Sequence, residues 1–310
     1  MVDRQQELKD IYGFDFPEDF FAFWEFAKQC NPEDPRHAFS DSLGLTLVGP
    51  YDVLAGRFDG KTPRYSSLLH WRYRDDPPEF FTILCGDTDK LHWGYWLDDP
   101  AQGPSCIAHY YANDAYELTE DCLNLFELFR QRMEDCYVST KENKEDDPEY
   151  AADYNADLRE YRRLRRILPQ YGKKERPEIG QAYLDKYESD ESVRPVVAKT
   201  LWGMGIVVAP EQYRPPKHDT EQLLNAERSS LDMAEWIQGA REACEEGYPG
   251  TALKLGRDLW PFEEESLEKA SVEILDMAYT ALNRPLLHQV LQVHNENRWL
   301  QSVDILHEAT

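Results

Sequence analysis

Three carboxylates crowd the end of a predicted helix, in the string Glu242-Ala243-Cys244-Glu245-Glu246. Gly247 follows, and glycine readily adopts the left-handed conformation that ends a helix. The last turn of a helix carries the negative end of its dipole, which opposes further negative charge and makes a carboxylate there a readier proton acceptor. Glu246 is therefore a candidate general base, with Glu245 beside it. From the residues alone, the alternative that both are ordinary surface carboxylates stays open.

A second candidate group is the segment Gln212-Tyr213-Arg214-Pro215-Pro216, which precedes that helix. Two prolines stiffen the backbone, so the guanidinium of Arg214 and the phenol of Tyr213 would project in fixed directions, as a clamp for a carboxylate requires. A loop at the end of a strand can face the end of a helix. The alternative is a capping loop in which the tyrosine packs and the arginine is solvated.

The N-terminal half is predicted to combine an aromatic helix with an antiparallel sheet. The helix begins near Phe16-Pro17-Glu18-Asp19 and runs to about Gln29. Its apolar residues form one stripe, namely Phe20, Phe23, Trp24 and Ala27. Segments rich in aromatic and β-branched residues predict strands at Leu45 to Val48, Leu69 to Tyr73, Phe80 to Leu84, Leu91 to Trp96, and Cys106 to Tyr111. A helix from about Asp114 to Glu134 is expected to close this half.

A polar run between Val138 and Glu149 predicts a linker. It divides the chain into a domain at residues 1–137, an acidic linker at 138–148 and a second domain at 149–310. The second domain is predicted to be helix-dominated with a small sheet, which makes the chain a member of the α+β class. Strands broken by glycines are expected within Lys199 to Ala209, and helices at about Glu149 to Leu168, Asp219 to Glu246, Gly250 to Leu259, Glu263 to Leu282, and Pro285 to Asn297.

Five arginines cluster near the end of the first of these helices: Arg159, Arg162, Arg163, Arg165 and Arg166. Basic side chains complement the C-terminal end of a helix dipole. The cluster is interpreted either as a solvated face of this kind or as a contact for an acidic partner.

The charge balance argues against several classes of partner. The chain has 310 residues, with 34 basic and 59 acidic side chains and a formal charge of −25. A protein that binds nucleic acid or anionic lipid needs a basic face, so we expect direct contact with neither. The polar N-terminus and the lack of a long apolar run predict a soluble intracellular protein.

Sequence motifs for autonomous chemistry are missing. The segment from Gly56 to Thr62 has three residues between its glycines where a phosphate-binding loop needs four. Gly203-Met204-Gly205 lacks the third glycine of a dinucleotide fingerprint. The six cysteines and eight histidines show no spacing typical of a zinc site. We therefore expect neither a bound metal nor a cofactor of the protein's own.

Longer strings of the sequence resemble the histone PARylation factor family. In the first half they are Phe16 to Phe20 with Phe23-Trp24, Ser42 to Gly56, Leu69 to Arg72, Asp76 to Phe80, and Gly94-Tyr95. In the second half they are Lys199 to Val208, Tyr213-Arg214, and Leu253 to Leu259. The resemblance extends over about residues 14 to 300 and is weaker between about 137 and 195.

The resemblance implies an accessory factor that is not a stand-alone enzyme. Such a factor docks onto the catalytic domain of a DNA-damage-activated poly(ADP-ribose) polymerase and contributes a glutamate to a composite active site. ADP-ribose then passes from NAD, which the partner binds, onto serine hydroxyls of histones. The location implied is the nucleus if the source is eukaryotic, and the cytoplasm if it is not.

The family's functional residues can be carried over one by one. Its catalytic glutamate falls on Glu246 and the adjoining acid on Glu245, while its Tyr-Arg pair falls on Tyr213-Arg214. The family commonly has cysteine and then aspartate after the glutamate, where Gly247 and Tyr248 stand here. The resemblance implies a general-base role for Glu246. It implies that Arg214 orients Glu246 and matches the polymerase surface, that Tyr213 shapes the pocket, and that Glu245 contributes to partner contact or the shape of the site.

A competing interpretation belongs to another class of protein. The N-terminal pattern also resembles the SMI1/KNR4 type of domain, whose members include immunity proteins that bind toxins. High acidity suits a protein that covers a basic toxin surface. In that interpretation Glu246 has no chemical role. A self-sufficient ADP-ribosyltransferase is disfavoured because the sequence contains no NAD-binding motif.

Overall fold

The computed structural model describes residues 4–114, 116–171, 177–186, 194–216 and 230–307, and for 230–232 the backbone alone. Besides short 3-10 turns, its first elements are α1 (Arg4–Tyr12), α2 (Glu18–Cys30), α3 (Ser40–Leu43), β1 (Thr46–Leu47), α4 (Pro50–Leu54), β2 (Phe80–Cys85), β3 (Leu91–Trp96), β4 (Cys106–Tyr111) and β5 (Thr119–Cys122). Helices follow: α5 (Leu125–Asp146), α6 (Ala151–Ile167), α7 (Gln181–Leu184), α8 (Ser230–Glu245), α9 (Pro249–Leu259), α10 (Glu265–Ala281) and α11 (Pro285–Glu296). The predicted α+β class is confirmed.

The strands form one antiparallel sheet in chain order, β1-β2-β3-β4-β5. Successive residues of a strand point to opposite faces, and both faces of this sheet are covered. Phe81 and Tyr95 lie in the main hydrophobic core, where the Tyr95 ring is 6.4 Å from that of Phe20 in α2. Phe80 and Trp96 lie in a smaller cluster on the opposite face. The sheet is therefore the centre of the N-terminal half.

Helix α2 follows the predicted stripe. Pro17 precedes it and Asn31 ends it, and acidic residues occupy its first turn, where the helix dipole favours them. Its buried residues are Phe20, Phe23, Trp24, Phe26 and Ala27. The prediction of this helix is confirmed.

The strand predicted from Leu69 to Tyr73 is wrong, because this segment is a loop. A 3-10 turn covers Ser67–Leu69, and Trp71 has a left-handed backbone with a φ of 57°. The guanidinium of Arg72 is buried and donates to the backbone oxygen of Phe80 at 2.7 Å. A buried arginine needs several acceptors, and Arg72 also donates to the backbone oxygens of Leu68 at 3.3 Å and Pro77 at 3.0 Å.

The helix predicted from Asp114 to Glu134 begins and ends later than expected, since β5 comes first. Asn124 caps α5: its side-chain oxygen accepts a hydrogen bond of 2.9 Å from the second helical residue. The helix then continues as far as Asp146. The polar run at 138–148 is therefore mostly helical: α5 packs on α6 and α7, and most side chains of this run are exposed, which suits polar residues. The division of the chain into domains stays a prediction.

The helices of the C-terminal half agree with the sequence pattern, but its strands do not. Helices α6, α9, α10 and α11 lie within two residues of their predicted bounds, while the predicted start of α8 at Asp219 lies outside the described residues. Between Lys199 and Ala209 the structure has isolated bridges where strands were expected. Gly203 and Gly205 adopt left-handed φ values of 81° and 53°, which interrupts a strand.

Buried polar contacts join the two halves. Arg194 donates to both carboxylate oxygens of Asp98 at 2.8 Å. Glu79 accepts a hydrogen bond of 2.8 Å from the hydroxyl of Tyr279, and the same oxygen lies 3.3 Å from Arg257. Removing one partner of a buried pair leaves an uncompensated charge, so loss of Glu79 or Arg257 would disturb the contact between α9 and the sheet.

Candidate functional site

Helix α8 buries one face and ends next to Glu246. The buried side chains recur at helical spacing, at Met233, Trp236, Ala240, Ala243 and Cys244. The backbone N–H of Tyr248 donates to the oxygen of Ala243 at 2.8 Å, and that of Gly247 to the oxygen of Cys244 at 3.1 Å. These two bonds define a Schellman motif, in which Gly247 takes a φ of 95°. The predicted helix stop at Gly247 is confirmed, and Glu246 is the capping residue at the exposed helix end.

The loop that carries Arg214 lies against the start of α9. The Thr251 hydroxyl accepts a hydrogen bond from the backbone N–H of Arg214 at 3.2 Å and donates one to its carbonyl oxygen at 2.5 Å. Gly250 permits this approach, because a Cβ there would lie 2.7 Å from Val208 Cγ2 and 3.0 Å from the carbonyl oxygen of Gln212. The sequence Pro249-Gly250-Thr251 thus begins α9 and holds the loop of Arg214 against this helix.

Arg214 and Glu246 meet at the surface. The Nη1 of Arg214 donates to the Oε2 of Glu246 at 2.6 Å, and the two side chains are 45% and 58% exposed. Within the described residues, no donor reaches the second oxygen, Oε1. An exposed ion pair contributes only about 0 to 1 kcal/mol to stability. The effect of this contact is therefore mainly to orient the carboxylate.

Sequence reasoning assigned no role to Tyr248 or Thr251, which complete this arrangement. The guanidinium carbon of Arg214 lies 4.5 Å from the centre of the Tyr248 ring, within the range of a cation–π contact. Tyr248 stands just past a helix-stopping glycine, which signals a reversal of the chain. Nothing in the string shows that the reversal brings the ring to Arg214, which is 34 positions earlier.

The other two predicted site residues lie apart from the ion pair. Tyr213 is partly buried and packs against the hydrophobic core, and this burial raises the pKa of its phenol. Glu245 is exposed and pairs with no other part of the described chain. The structure therefore brings Arg214 to Glu246, whereas Tyr213 anchors the loop from the interior side.

A cleft of about 870 Å³ adjoins the pair. Arg214 and Glu246 contribute to its lining, together with Glu235, Glu242 and the small residue Gly239 on α8. Cavities of a few hundred to about 1,000 Å³ are typical of ligand sites. Among the described residues, the wall of the cleft beside Glu246 carries the carboxylates of Glu235 and Glu242.

Two other kinds of site find no support in the part of the chain that the structure describes. There, no group of three or more His, Cys, Asp or Glu side chains is arranged to hold a metal ion. None of the helices described has both the length and the apolar character needed to cross a bilayer.

Comparison with known proteins identifies the family. Residues 3–298 match the sequence model of the family described as Histone PARylation factor 1. The chain belongs to the histone PARylation factor family. Histone PARylation factor 1 of Mus musculus is 28% identical over 327 residues, which cover 98% of this chain and 89% of the mouse protein. That of Danio rerio is 30% identical over 326 residues, covering 98% of this chain and 88% of the fish protein.

The predicted family is thereby confirmed over both halves of the chain. The matched range spans the positions of Arg214 and Glu246. A resemblance of the N-terminal pattern to the SMI1/KNR4 type of domain does not account for a match that continues to residue 298.

Proposed function

We propose that this histone PARylation factor is an accessory factor of a poly(ADP-ribose) polymerase and supplies Glu246 to a composite active site. The names of its relatives indicate the reaction class, which is PARylation of histones. The placement of Glu246 carries the proposal: the side chain is exposed at a helix end, is held by Arg214 at 2.6 Å, and its Oε1 has no donor among the described residues. A residue that completes another protein's active site must be both exposed and oriented.

The chemistry explains why a polymerase would need this glutamate. A serine hydroxyl is a weak nucleophile and benefits from a base as it attacks. In the proposed step the serine oxygen bonds to the anomeric carbon of NAD's nicotinamide ribose, neutral nicotinamide leaves, and the hydroxyl proton passes to Oε1 of Glu246. An acidic acceptor is already ionised, so an added base directs the reaction to serine. The polymerase binds NAD, and this chain needs no cofactor of its own.

The remaining predicted site residues have supporting roles in the proposal. Arg214 orients Glu246 and presents its other N–H groups to the polymerase, because nearly half of its side chain is exposed. Glu245 is exposed next to the base and shapes the boundary with the partner. Tyr213 shapes the site indirectly, since it anchors the loop that carries Arg214.

The charge of the chain suits a basic substrate. A net charge of −25 attracts histone segments and favours encounter with them. In a eukaryotic cell this role places the protein in the nucleus, at chromosomes, during the response to DNA damage. Histones are then the substrates, and neither nucleic acid nor membrane is a direct partner.

Reconstitution of the reaction tests the proposal. A polymerase catalytic domain, NAD and a histone peptide are incubated with and without this protein, and mass spectrometry locates the modified residues. The protein is expected to shift ADP-ribose from acidic residues to serine. The same acceptor residues with and without the protein would contradict the accessory role.

A further inference from the structure

Tyr248 lies where it can restrain the arginine of the candidate site. Its ring centre is 4.5 Å from the guanidinium carbon of Arg214, and the residue is half-buried. Its backbone is fixed on one side by the Schellman bond to Ala243 at 2.8 Å. On the other side Pro249 begins α9. The ring is thus attached to a rigid corner between two helices.

Arginine is a flexible side chain that loses much conformational freedom when it is held in one rotamer. A single hydrogen bond at the surface offsets little of this loss. A ring packed against the guanidinium restricts the orientation of its plane and leaves the N–H groups at its edge free to donate. One of those groups donates to Glu246 at 2.6 Å.

We propose that Tyr248 is a positioning residue for Glu246 and acts through Arg214. Thr251 fixes the backbone of Arg214 through two hydrogen bonds, and the Tyr248 ring fixes its side chain. Together they set the direction in which Nη1 meets Glu246. This inference rests on the proposed function, because the orientation of Glu246 matters only if this carboxylate acts on a substrate.

Two substitutions distinguish the contribution of the Tyr248 aromatic face from that of its hydroxyl group. Tyr248→Phe keeps the aromatic face, whereas Tyr248→Leu keeps an apolar side chain without a π system. In the reconstituted reaction, Tyr248→Leu is expected to lower kcat for serine modification about two- to fivefold, the range of an exposed cation–π contact. The KM for NAD should not change, since the polymerase binds NAD. Tyr248→Phe should keep at least half of the rate.

A double-mutant cycle with Arg214→Ala tests whether Tyr248 acts through the arginine. In the Arg214→Ala background, Tyr248→Leu is expected to cause no further loss. An equal fold loss in both backgrounds would overturn the inference. So would a loss in Tyr248→Phe as large as in Tyr248→Leu, because the effect would then belong to the hydroxyl.

A structural measurement on the free protein keeps the two proposals distinguishable. The ¹⁵N heteronuclear NOE of the Arg214 Nε reports side-chain order, and it should fall in Tyr248→Leu and persist in Tyr248→Phe. An unchanged NOE in Tyr248→Leu would overturn the positioning role even if activity fell. If Glu246→Gln leaves serine modification intact, the proposed function fails. If Glu246→Gln abolishes serine modification while Tyr248→Leu reacts as the wild type does, only the inference about Tyr248 fails.

Discussion

The two carboxylate oxygens of Glu246 have different surroundings. Oε2 accepts from Arg214 at 2.6 Å, whereas Oε1 has no donor among the described residues. In the proposed chemistry, Oε2 fixes the direction of the group and Oε1 accepts the proton. This division is the smallest feature on which the proposed chemistry depends.

The sequence pointed to Glu246 and Arg214, and the prediction that the loop of Arg214 faces the helix end and clamps a carboxylate agrees with their contact at 2.6 Å. A helix-stopping glycine and a proline-rich loop are local features, and the structure confirms the helix end. The ion pair joins positions 32 apart, and it depends on packing that no local pattern specifies. Tyr248 was missed for the same reason.

At the residue scale, we predict that Arg214→Ala weakens docking to the polymerase catalytic domain by about tenfold, since exposed arginines at interfaces are frequently hot spots. Isothermal titration calorimetry measures the affinity. Arg241→Ala is the matched control, because Arg241 also forms an exposed ion pair, with Glu273 at 2.8 Å. The free energy of unfolding should change by less than about 1 kcal/mol in both variants. Equal affinities for the polymerase would leave Arg214 without a docking role.

At the scale of elements, the corner between α8 and α9 positions the site. The Schellman motif turns the chain after Glu246, and the first turn of α9 supports the loop of Arg214. The long amphipathic helices were predictable because one apolar face repeats at helical spacing. The loop at Leu69 to Tyr73 was not, because an aromatic pattern typical of strands does not reveal the 3-10 turn at Ser67–Leu69 or the left-handed backbone of Trp71.

The arginine cluster of α6 also depends on tertiary contacts. Arg165 donates to both oxygens of Glu134 on α5, and Arg163 pairs with Glu160 one turn before it. Part of the cluster therefore forms ion pairs with carboxylates of the same molecule. Arg159, Arg162 and Arg166 are exposed. The sequence could not separate these two groups, since the pairing of Arg165 joins different helices.

A glycine substitution tests the corner directly. Gly250→Ala is expected to lower the free energy of unfolding by about 1 to 2 kcal/mol, because the added Cβ would meet Val208 at 2.7 Å and the Gln212 backbone at 3.0 Å. Gly239→Ala is the control: a Cβ there meets nothing within 4 Å, so the better helix former should raise stability by about 0.5 to 1 kcal/mol. Urea denaturation measures both. Equal stabilities would show that the loop does not pack closely on α9.

At the scale of the whole molecule, buried pairs tie the site to the sheet. Arg257 at the end of α9 lies 3.3 Å from Glu79, beside the first residue of β2. The corner that presents Glu246 is therefore supported by the N-terminal half. Class and family were predictable from long ordered strings, whereas these contacts, up to 200 positions apart, were not.

The central claim is that Glu246 acts as the base in a shared active site, and Glu246→Gln tests it most directly. The matched control is Glu273→Gln, which removes a carboxylate of similar exposure from another surface ion pair. The measurement is the rate of serine ADP-ribosylation in the reconstituted reaction at saturating polymerase. A general base contributes about 10²- to 10⁴-fold, so we predict a loss of at least about a hundredfold for Glu246→Gln and none for Glu273→Gln. Serine modification at the wild-type rate in Glu246→Gln would contradict the account.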